Sequence, residues 1–162
     1  NVIATAGSPK KAQISSACGA DHVILYNDQD FQTEVQKITG GEGVHIVYES
    51  VGKATFEKSL YCLRHRGTCA LFGASSGPVT SLNPQILAEA GSVFLTRPNL
   101  ADYMTSNEEI SDRTKNIFQM VTNGKLDVDI SEVFTLEDTM SAHAALEGRK
   151  TTGKLLLKTA SA

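Results

Sequence analysis

Residues 2–26 read VIATAGSPKKAQISSACGADHVILY, and this stretch decides the fold. The apolar runs at 2–6 and 22–26 are typical of buried strands. The segment between them starts with Ser8-Pro9, a favoured beginning for a helix, and stops at Gly19. Two strands joined through a helix by short turns predict a right-handed βαβ unit with parallel strands.

The same alternation continues along most of the chain. Further strands are predicted at 44–48, 68–72 and 92–96, with helices near 31–38 (capped by Asp28 or Asp30), 56–63 and 84–91. After Pro98 the pattern predicts a long helix opened by a capping box at Ser106–Glu109, an extended piece at 127–134, a helix at 135–147 and a last strand at 153–158. Nearly continuous apolar strands indicate a sheet that helices cover on both faces. We therefore predict an α/β fold with a doubly wound, Rossmann-like parallel sheet.

Composition narrows the classes of function. The 162 residues are 41% hydrophobic and 20% charged, which argues against disorder, and the net charge of −3 argues against a chain-wide surface for nucleic acid. The apolar runs are shorter than the roughly 20 residues of a membrane helix. Three cysteines and four histidines show no metal-ligand spacing, which predicts a zinc-independent protein of the reducing cytoplasm. A strand that begins at residue 2 predicts a fragment or a trimmed product.

The turn after the first strand carries the clearest chemical signal. NAD-binding proteins usually place an acidic residue here for the ribose 2′-hydroxyl, whereas this chain has Gly7, Ser8 and the lysines Lys10 and Lys11. Amides at a helix start and lysine side chains suit a 2′-phosphate, which predicts NADP(H) rather than NAD(H). A solvated basic turn capped by Ser8 explains this turn, taken alone, about equally well.

Other candidates follow the remaining strands, where a dinucleotide-binding sheet holds its ligand. Tyr26 could lie beside adenine, although a half-buried aromatic residue at a strand end is commoner. Ser50 and the run from Phe72 to Ser75 could let ribose and nicotinamide approach the backbone, or could be plain turns. Arg97 and Arg149 are cationic candidates, for which surface salt bridges are the commoner explanation.

One element of the expected sheet is missing. A dinucleotide-binding fold opens with a strand and a glycine-rich turn, and no such turn precedes the first strand here. That strand therefore behaves as the second strand of the fold. Loss of the central strand predicts an apolar slot between residues 2–6 and 44–48, filled either by upstream sequence or by another chain.

Several segments together resemble the quinone oxidoreductase (zeta-crystallin-like) branch of the medium-chain dehydrogenase/reductase superfamily, in its C-terminal, cofactor-binding part. The segments that carry the resemblance are Ala4–Lys11, Gly19–Ile24, Thr39–Val44, Glu49–Gly52, Leu71–Gly77 and Leu95–Pro98. The resemblance implies a zinc-free enzyme that reduces quinones, or other small electrophilic acceptors, with NADPH. It also implies a homodimer formed through the edge strand Ser92–Thr96.

The resemblance also implies which residues bind the cofactor. Gly7, Ser8, Lys11 and Tyr26 would hold the adenosine 2′-phosphate, with Arg149 near it. Ser50, Phe72, Gly73, Ala74, Ser75, Phe94, Thr96 and Arg97 would line the ribose and nicotinamide. No catalytic residue is identified.

Compared with members of that family, this chain is expected to lack the catalytic domain. Residues 1–125 are expected to form a partial NADP-binding domain, and residues 126–162 to return to an absent GroES-like catalytic domain. The chain alone is therefore expected to lack a complete active site. Two alternatives stay open: an enoyl reductase domain of a larger synthase, and a non-catalytic crystallin or RNA-binding role, for which an aromatic content of 6% gives no positive sign.

Overall fold

The computed structural model describes residues 1–148 and 151–159. Its strands are β1 (Ile3–Ala6), β2 (His22–Leu25), β3 (Val44–Glu49), β4 (Leu63–Leu71), β5 (Phe94–Thr96), β6 (Ile130–Thr135) and β7 (Lys154–Lys158). Its α-helices are α1 (Pro9–Ala17), α2 (Phe31–Ile38), α3 (Phe56–Tyr61), α4 (Gln85–Glu89), α5 (Asn107–Thr122) and α6 (Thr139–Glu147). The contacts divide the chain into two compact units, one ending at Tyr103 and the other beginning at Met104. The predicted domain division at residue 125 stays a prediction.

The first unit contains parallel strands in two groups. β1 pairs with β2, and β4 pairs with both β3 and β5. Between β1 and β3, no strand pairing joins the two groups in the described part of the chain. A cavity of about 770 Å³ lies there, lined on one side by residues 2–5 and on the other by residues 44–49. The slot predicted from the missing strand is present.

Helices α2 and α3 connect the two groups of strands. Ile24 of β2, Val35 of α2 and Cys62 form one buried apolar cluster, against which Val44 and Val47 of β3 also pack. Gln36 Nε2 of α2 donates a hydrogen bond to the carbonyl of Tyr61, at 3.1 Å. The first unit therefore stays together through the helices on one side of the slot.

Three predicted helix starts have their expected caps. Ser8 Oγ accepts from Lys11 N at 3.4 Å, and Asp30 Oδ1 accepts from Thr33 N at 3.0 Å, which decides between Asp28 and Asp30. Ser106 Oγ accepts from Glu109 N at 3.2 Å. The capping box at this last helix is modified, because the Glu109 carboxylate accepts from the amide of Thr105, one residue before the cap.

Asp30 also reaches the neighbouring helix. Its carboxylate forms an ion pair with Lys58 of α3. The hydrogen bond from Lys58, followed by that from the amide of Thr33, lowers the pKa of Asp30 to about 2. The carboxylate that caps α2 is therefore ionised at neutral pH.

The fourth strand starts earlier than predicted. The apolar spacing of Phe56, Leu60 and Leu63 predicts a helix that includes Leu63, but Leu63 pairs with Val44 as the first residue of β4. The register then jumps, so that Ile46 pairs with Thr68, and the intervening residues form a bulge with Arg66 at a φ of 59°. The bulge explains why the sequence pattern shows a strand only from residue 68.

The second unit is smaller. β6 pairs in parallel with β7, and α6 packs against both strands. β6 extends to Thr135, and α6 starts at Thr139, four residues later than the predicted helix. Among the described residues, no helix is both long and apolar enough to cross a bilayer.

Candidate functional site

Gly7 and Tyr26 meet at the carboxyl ends of β1 and β2. A Cβ atom added at Gly7 would lie 2.7 Å from Tyr26 Oη, which no real Cβ contact allows. Asn27 Nδ2 also donates to the carbonyl of Gly7, at 2.7 Å. The clashing atoms are the far end of the Tyr26 side chain, so a larger residue at position 7 would displace the tyrosine. Two of the predicted site residues are therefore in direct proximity.

The helix α1 begins beside this pair. Ser8 caps it, Pro9 is its first residue, and its first turn contains no acidic side chain. Because Ser8 Oγ accepts from the amide of Lys11, its hydroxyl proton remains able to donate to a ligand. A helix N-terminus with Lys10 and Lys11 in its first turn is a positive end suited to a phosphate.

The loops after β3 and β4 are bonded to one another. We call residues 50–55 the β3 loop and residues 72–78 the β4 loop. Amides of the β4 loop donate from Ser75 to the carbonyl of Ser50 at 3.3 Å and from Ser76 to that of Val51 at 2.8 Å. In return, Lys53 N of the β3 loop donates to the carbonyl of Gly77 at 3.0 Å. The two loops thus behave as one surface.

Two glycines allow this close approach. A Cβ atom at Gly73 would lie 2.2 Å from the carbonyl oxygen of Ser50, and one at Gly52 would lie 2.5 Å from that of Gly77. Gly52 also has a φ of +86°, which side chains rarely adopt. The residues predicted at Ser50, Gly73, Ala74 and Ser75 therefore lie together at the carboxyl ends of β3 and β4.

Glu49 is not among the site residues predicted from the sequence. It is the last residue of β3, and only 4% of it is exposed. Its carboxylate accepts hydrogen bonds from the amides of Val51 and Gly52 and from the hydroxyls of Thr55 and Ser59. The sequence does contain a signal for Glu49. It is a carboxylate that ends an apolar strand and is followed by two hydroxyl residues four positions apart.

The remaining predicted residues spread along β4 and β5. Thr96 pairs with Ala70 near the carboxyl end of the sheet, whereas Phe94 pairs with Thr68, further from that end. Phe72 is half exposed. Arg97 lines a small cavity of about 250 Å³ together with Gly73 and Ala74 of the β4 loop, among other residues. Arg149 lies outside the described residues.

The structure also shows how the possible metal ligands and the cysteine thiols are placed. In the described part of the chain, no three histidine, cysteine or acidic side chains are grouped so as to hold a metal ion. Burial raises the pKa of Cys62 to about 12 and that of Cys69 to about 11. Both thiols are therefore protonated at neutral pH and unsuited to act as nucleophiles. Cys18 is exposed.

Comparison with known proteins places this geometry in a family. The sequence model of the family described as zinc-binding dehydrogenase matches residues 18–157. The chain is 43% identical over 158 residues to a quinone oxidoreductase of Salmonella typhimurium, and 41% identical over 157 residues to a 2-haloacrylate reductase of a Burkholderia species. Each alignment covers 96% of this chain, and 48% and 47% of the relative, respectively. The chain thus spans about half the length of these relatives.

Solved structures agree with the sequence comparison. The quinone oxidoreductase of Escherichia coli complexed with NADPH superposes with a TM-score of 0.92 at 41% identity, over 96% of this chain and 48% of that one. A mycobacterial protein complexed with NADPH gives 0.91 at 43% identity, over 98% and 50%. These superpositions confirm the predicted Rossmann-like fold. The chain belongs to the zinc-binding dehydrogenase family and is similar to the quinone oxidoreductases of the medium-chain dehydrogenase/reductase superfamily.

Proposed function

We propose that this chain is the NADPH-binding part of a quinone oxidoreductase. The observation that carries the proposal is the positive end of α1, with Ser8 and two lysines but no acid, beside the Gly7–Tyr26 contact. Two similar structures are named as NADPH complexes, which supports the same cofactor here. The chain spans about half of its relatives, so the acceptor site of the whole enzyme is part of the proposal.

The adenosine end of the cofactor would bind at β1 and β2. A 2′-phosphate there can accept from the Ser8 hydroxyl and from the amide of Lys10, while the Lys11 side chain supplies a compensating charge. The ring of Tyr26, 43% exposed, offers a face for the adenine. Because no acid stands in the first turn of α1, the ribose 2′-hydroxyl of NAD(H) lacks its usual acceptor.

The nicotinamide end would bind on the paired β3 and β4 loops. Ser50 and the residues 72–75 present backbone and small side chains, which allow a ribose to approach closely. Thr96 and Arg97 extend this surface across β5. Phe94 and Arg149 remain proposed contacts, carried by the family resemblance.

NADPH itself supplies the reducing equivalents, as a hydride held on its nicotinamide ring. The residues of this chain therefore need only bind and orient the cofactor against a flat acceptor. The protonated buried thiols Cys62 and Cys69 offer no competing nucleophile. The predicted site residues include no nucleophile–base pair, which agrees with a protein that only binds and orients the cofactor.

The first prediction concerns Lys11. We expect Lys11→Ala to weaken NADPH binding about 10- to 100-fold, because one charge-assisted contact to phosphate contributes about 1.5–3 kcal/mol. Binding of NADH should change little, because NADH carries no 2′-phosphate. The measurement is titration of the complete natural protein with each cofactor, followed by cofactor fluorescence. Lys10→Ala, in the same helix turn, is the matched control and should have a smaller effect. Equal wild-type affinity for NADPH and NADH would refute the assignment.

The class of acceptor needs its own assay. Quinones are the proposed acceptors, and an activated alkene such as a haloacrylate is the second candidate, because the Burkholderia relative is named for that substrate. NADPH consumption with a benzoquinone, a haloacrylate and an enoyl thioester distinguishes the three. Turnover with the thioester alone would favour an enoyl reductase instead.

The quaternary structure is proposed to be a homodimer joined along β5. This strand pairs with β4 on one side, and its residue Phe94 is 62% exposed. An apolar strand at a sheet edge is a template for pairing with another chain. Pairing β5 with its copy across a twofold axis would cover both edges at once.

We also propose a cytoplasmic location, supported by the free state of Cys18, Cys62 and Cys69.

The second prediction tests this interface. We expect Phe94→Asp to convert the dimer to a monomer, because two carboxylates would be placed in an apolar contact. Light scattering after size-exclusion chromatography of the complete natural protein measures the mass. Gln13→Asp, which adds the same charge at an exposed position of α1, should leave the dimer intact. A wild-type protein that is monomeric at micromolar concentration would contradict the proposal.

A further inference from the structure

We infer that Glu49 is a positioning residue for the nicotinamide half of the cofactor. Its buried carboxylate holds the β3 loop, and through it the β4 loop, in the shape that would receive the ribose and nicotinamide. The inference rests on the proposed function, because it concerns how one end of the same cofactor site is built.

The carboxylate of Glu49 is fully engaged by donors that follow it in the chain. Glu49 Oε1 accepts from Val51 N at 2.7 Å and from Gly52 N at 3.1 Å. Thr55 Oγ1 donates to Oε1 at 2.9 Å, and Ser59 Oγ of α3 donates to Oε2 at 2.5 Å. A carboxylate this deeply buried is stable only when donors satisfy it, and here four groups converge on it.

These contacts fix the backbone of the β3 loop directly. The amides of Val51 and Gly52 must point inward to reach the carboxylate. The carbonyls of Ser50 and Val51 are then left to accept from the β4 loop, through Ser75 N and Ser76 N. The orientation of the β3 loop therefore determines where the β4 loop lies.

The main chain of Glu49 adds a second link. Its carbonyl accepts from Phe72 N at 2.9 Å and from Gly73 N at 3.2 Å, where the β4 loop begins. Glu49 thus touches both loops, one through its side chain and the other through its backbone. Loss of the side chain leaves two amides and two hydroxyls without their acceptor, and the loop relaxes toward water.

The position of Glu49 makes the effect selective. The carboxylate lies at the end of β3, whereas the predicted 2′-phosphate site lies at the ends of β1 and β2, across the slot. A change at Glu49 should therefore disturb the nicotinamide half of the ligand and spare the adenosine half. Replacement of a residue that supported only the overall fold would change the affinities for the two halves in parallel or would change neither.

The experiment compares two ligands in the complete natural protein. NADPH contains both the adenosine half and the nicotinamide half of the cofactor. The compound 2′,5′-ADP contains only the adenosine half with its 2′-phosphate. Calorimetric titration at a temperature well below the melting transition gives both affinities. For Glu49→Ala we expect NADPH affinity to fall about tenfold or more, with 2′,5′-ADP affinity unchanged, because the buried donors lose their acceptor.

Two conservative variants test the same role even if Glu49→Ala does not fold. Glu49→Gln keeps one oxygen for the two amides, and the hydroxyls of Thr55 and Ser59 can rotate to accept from its amide nitrogen, so it should restore most of the NADPH affinity. Thr55→Val removes one donor without changing the shape of the side chain, and should produce a smaller selective loss. Leu60→Ala in α3 is the control: it should lower the melting temperature without changing either affinity.

The possible results distinguish the positioning role of Glu49 from the proposed function. A selective loss of NADPH affinity, partly restored in Glu49→Gln, supports the positioning role. A parallel loss for NADPH and 2′,5′-ADP, or unchanged affinity for both in folded Glu49→Ala, overturns it. Wild-type protein that binds neither ligand would overturn the proposed function first, and the positioning role with it.

Discussion

Replacement of Gly73 by alanine is expected to lower NADPH affinity about tenfold or more, because the loss of one or two contacts to the cofactor, worth about 0.5–1.5 kcal/mol each, has an effect of that size. The added Cβ would lie 2.2 Å from the carbonyl oxygen of Ser50, and 2.7 and 2.8 Å from its Cα and carbonyl carbon. All three atoms belong to the main chain, so no side-chain rotation relieves the clash. The β3 and β4 loops must move apart, and the surface proposed for the nicotinamide is disrupted.

The same substitution should also affect stability. Separation of the loops breaks hydrogen bonds such as the one from Ser76 N to the carbonyl of Val51. Overpacking of this kind usually costs about 1–3 kcal/mol of the free energy of unfolding. Calorimetric titration with NADPH and thermal unfolding of the complete natural protein measure the two effects separately.

Gly77→Ala is the matched control in the same loop. Gly77 has a φ of +112°, so alanine there is strained, but an added Cβ would meet no atom closer than Lys53 Cβ at 3.9 Å. Backbone strain without a clash should cost about 1–3 kcal/mol of stability, and NADPH affinity should fall much less than in Gly73→Ala. Similar losses of affinity in the two variants would show that the approach of Gly73 to Ser50 has no special role.

Much of this architecture could be predicted because local signals and the global fold agree. The apolar runs at β1, β2 and β3, and the caps at Ser8 and Asp30, fix where strands and helices begin. The slot was predictable for a different reason. The chain lacks a recognisable glycine turn before its first strand, so one position of the sheet had no candidate.

The start of β4 could not be predicted, because a bulge hides it. Leu63 continues the helical spacing of Phe56 and Leu60, and the residues between Leu63 and Thr68 leave the regular register. Arg66, with a φ of 59°, adopts a conformation that is uncommon for an arginine. Pairing with Val44 overrides the local pattern, and such long-range pairing is not encoded in the spacing of apolar residues.

Only part of the candidate site could be predicted from the sequence. Residues at strand ends, such as Gly7, Tyr26 and Ser50, are recognisable because parallel strands bring their carboxyl ends to one edge. The proposed role of Glu49 depends partly on the hydrogen bond from Ser59 Oγ, which forms only after α3 packs against the sheet. The pattern in the sequence, an acid that ends an apolar strand and is followed by Thr55 and Ser59, does not by itself distinguish a buried carboxylate from an exposed one.

Leu60→Ala should have the largest effect on stability. Leu60 of α3 is fully buried, in a cluster that also contains Phe56, Cys69 and Leu71. Truncation removes apolar contacts and leaves a cavity that the surrounding strands can fill only partly, so we expect a loss of about 2–5 kcal/mol in the free energy of unfolding. Urea denaturation of the complete natural protein measures this loss, with Leu60→Met as the control of similar volume, for which the expected cost is below about 1.5 kcal/mol.

Leu60→Ala and Gly73→Ala together separate the core from the proposed site. Leu60 points into the core beneath β3 and β4, whereas Gly73 lies in the surface loop that follows β4. At a temperature where both variants are folded, Leu60→Ala should bind NADPH as the wild type does, and Gly73→Ala should not. If Leu60→Ala loses as much affinity as Gly73→Ala, the loops derive their shape from the core rather than from their own hydrogen bonds. In that case the bonds between the β3 and β4 loops would not be what organises the nicotinamide surface.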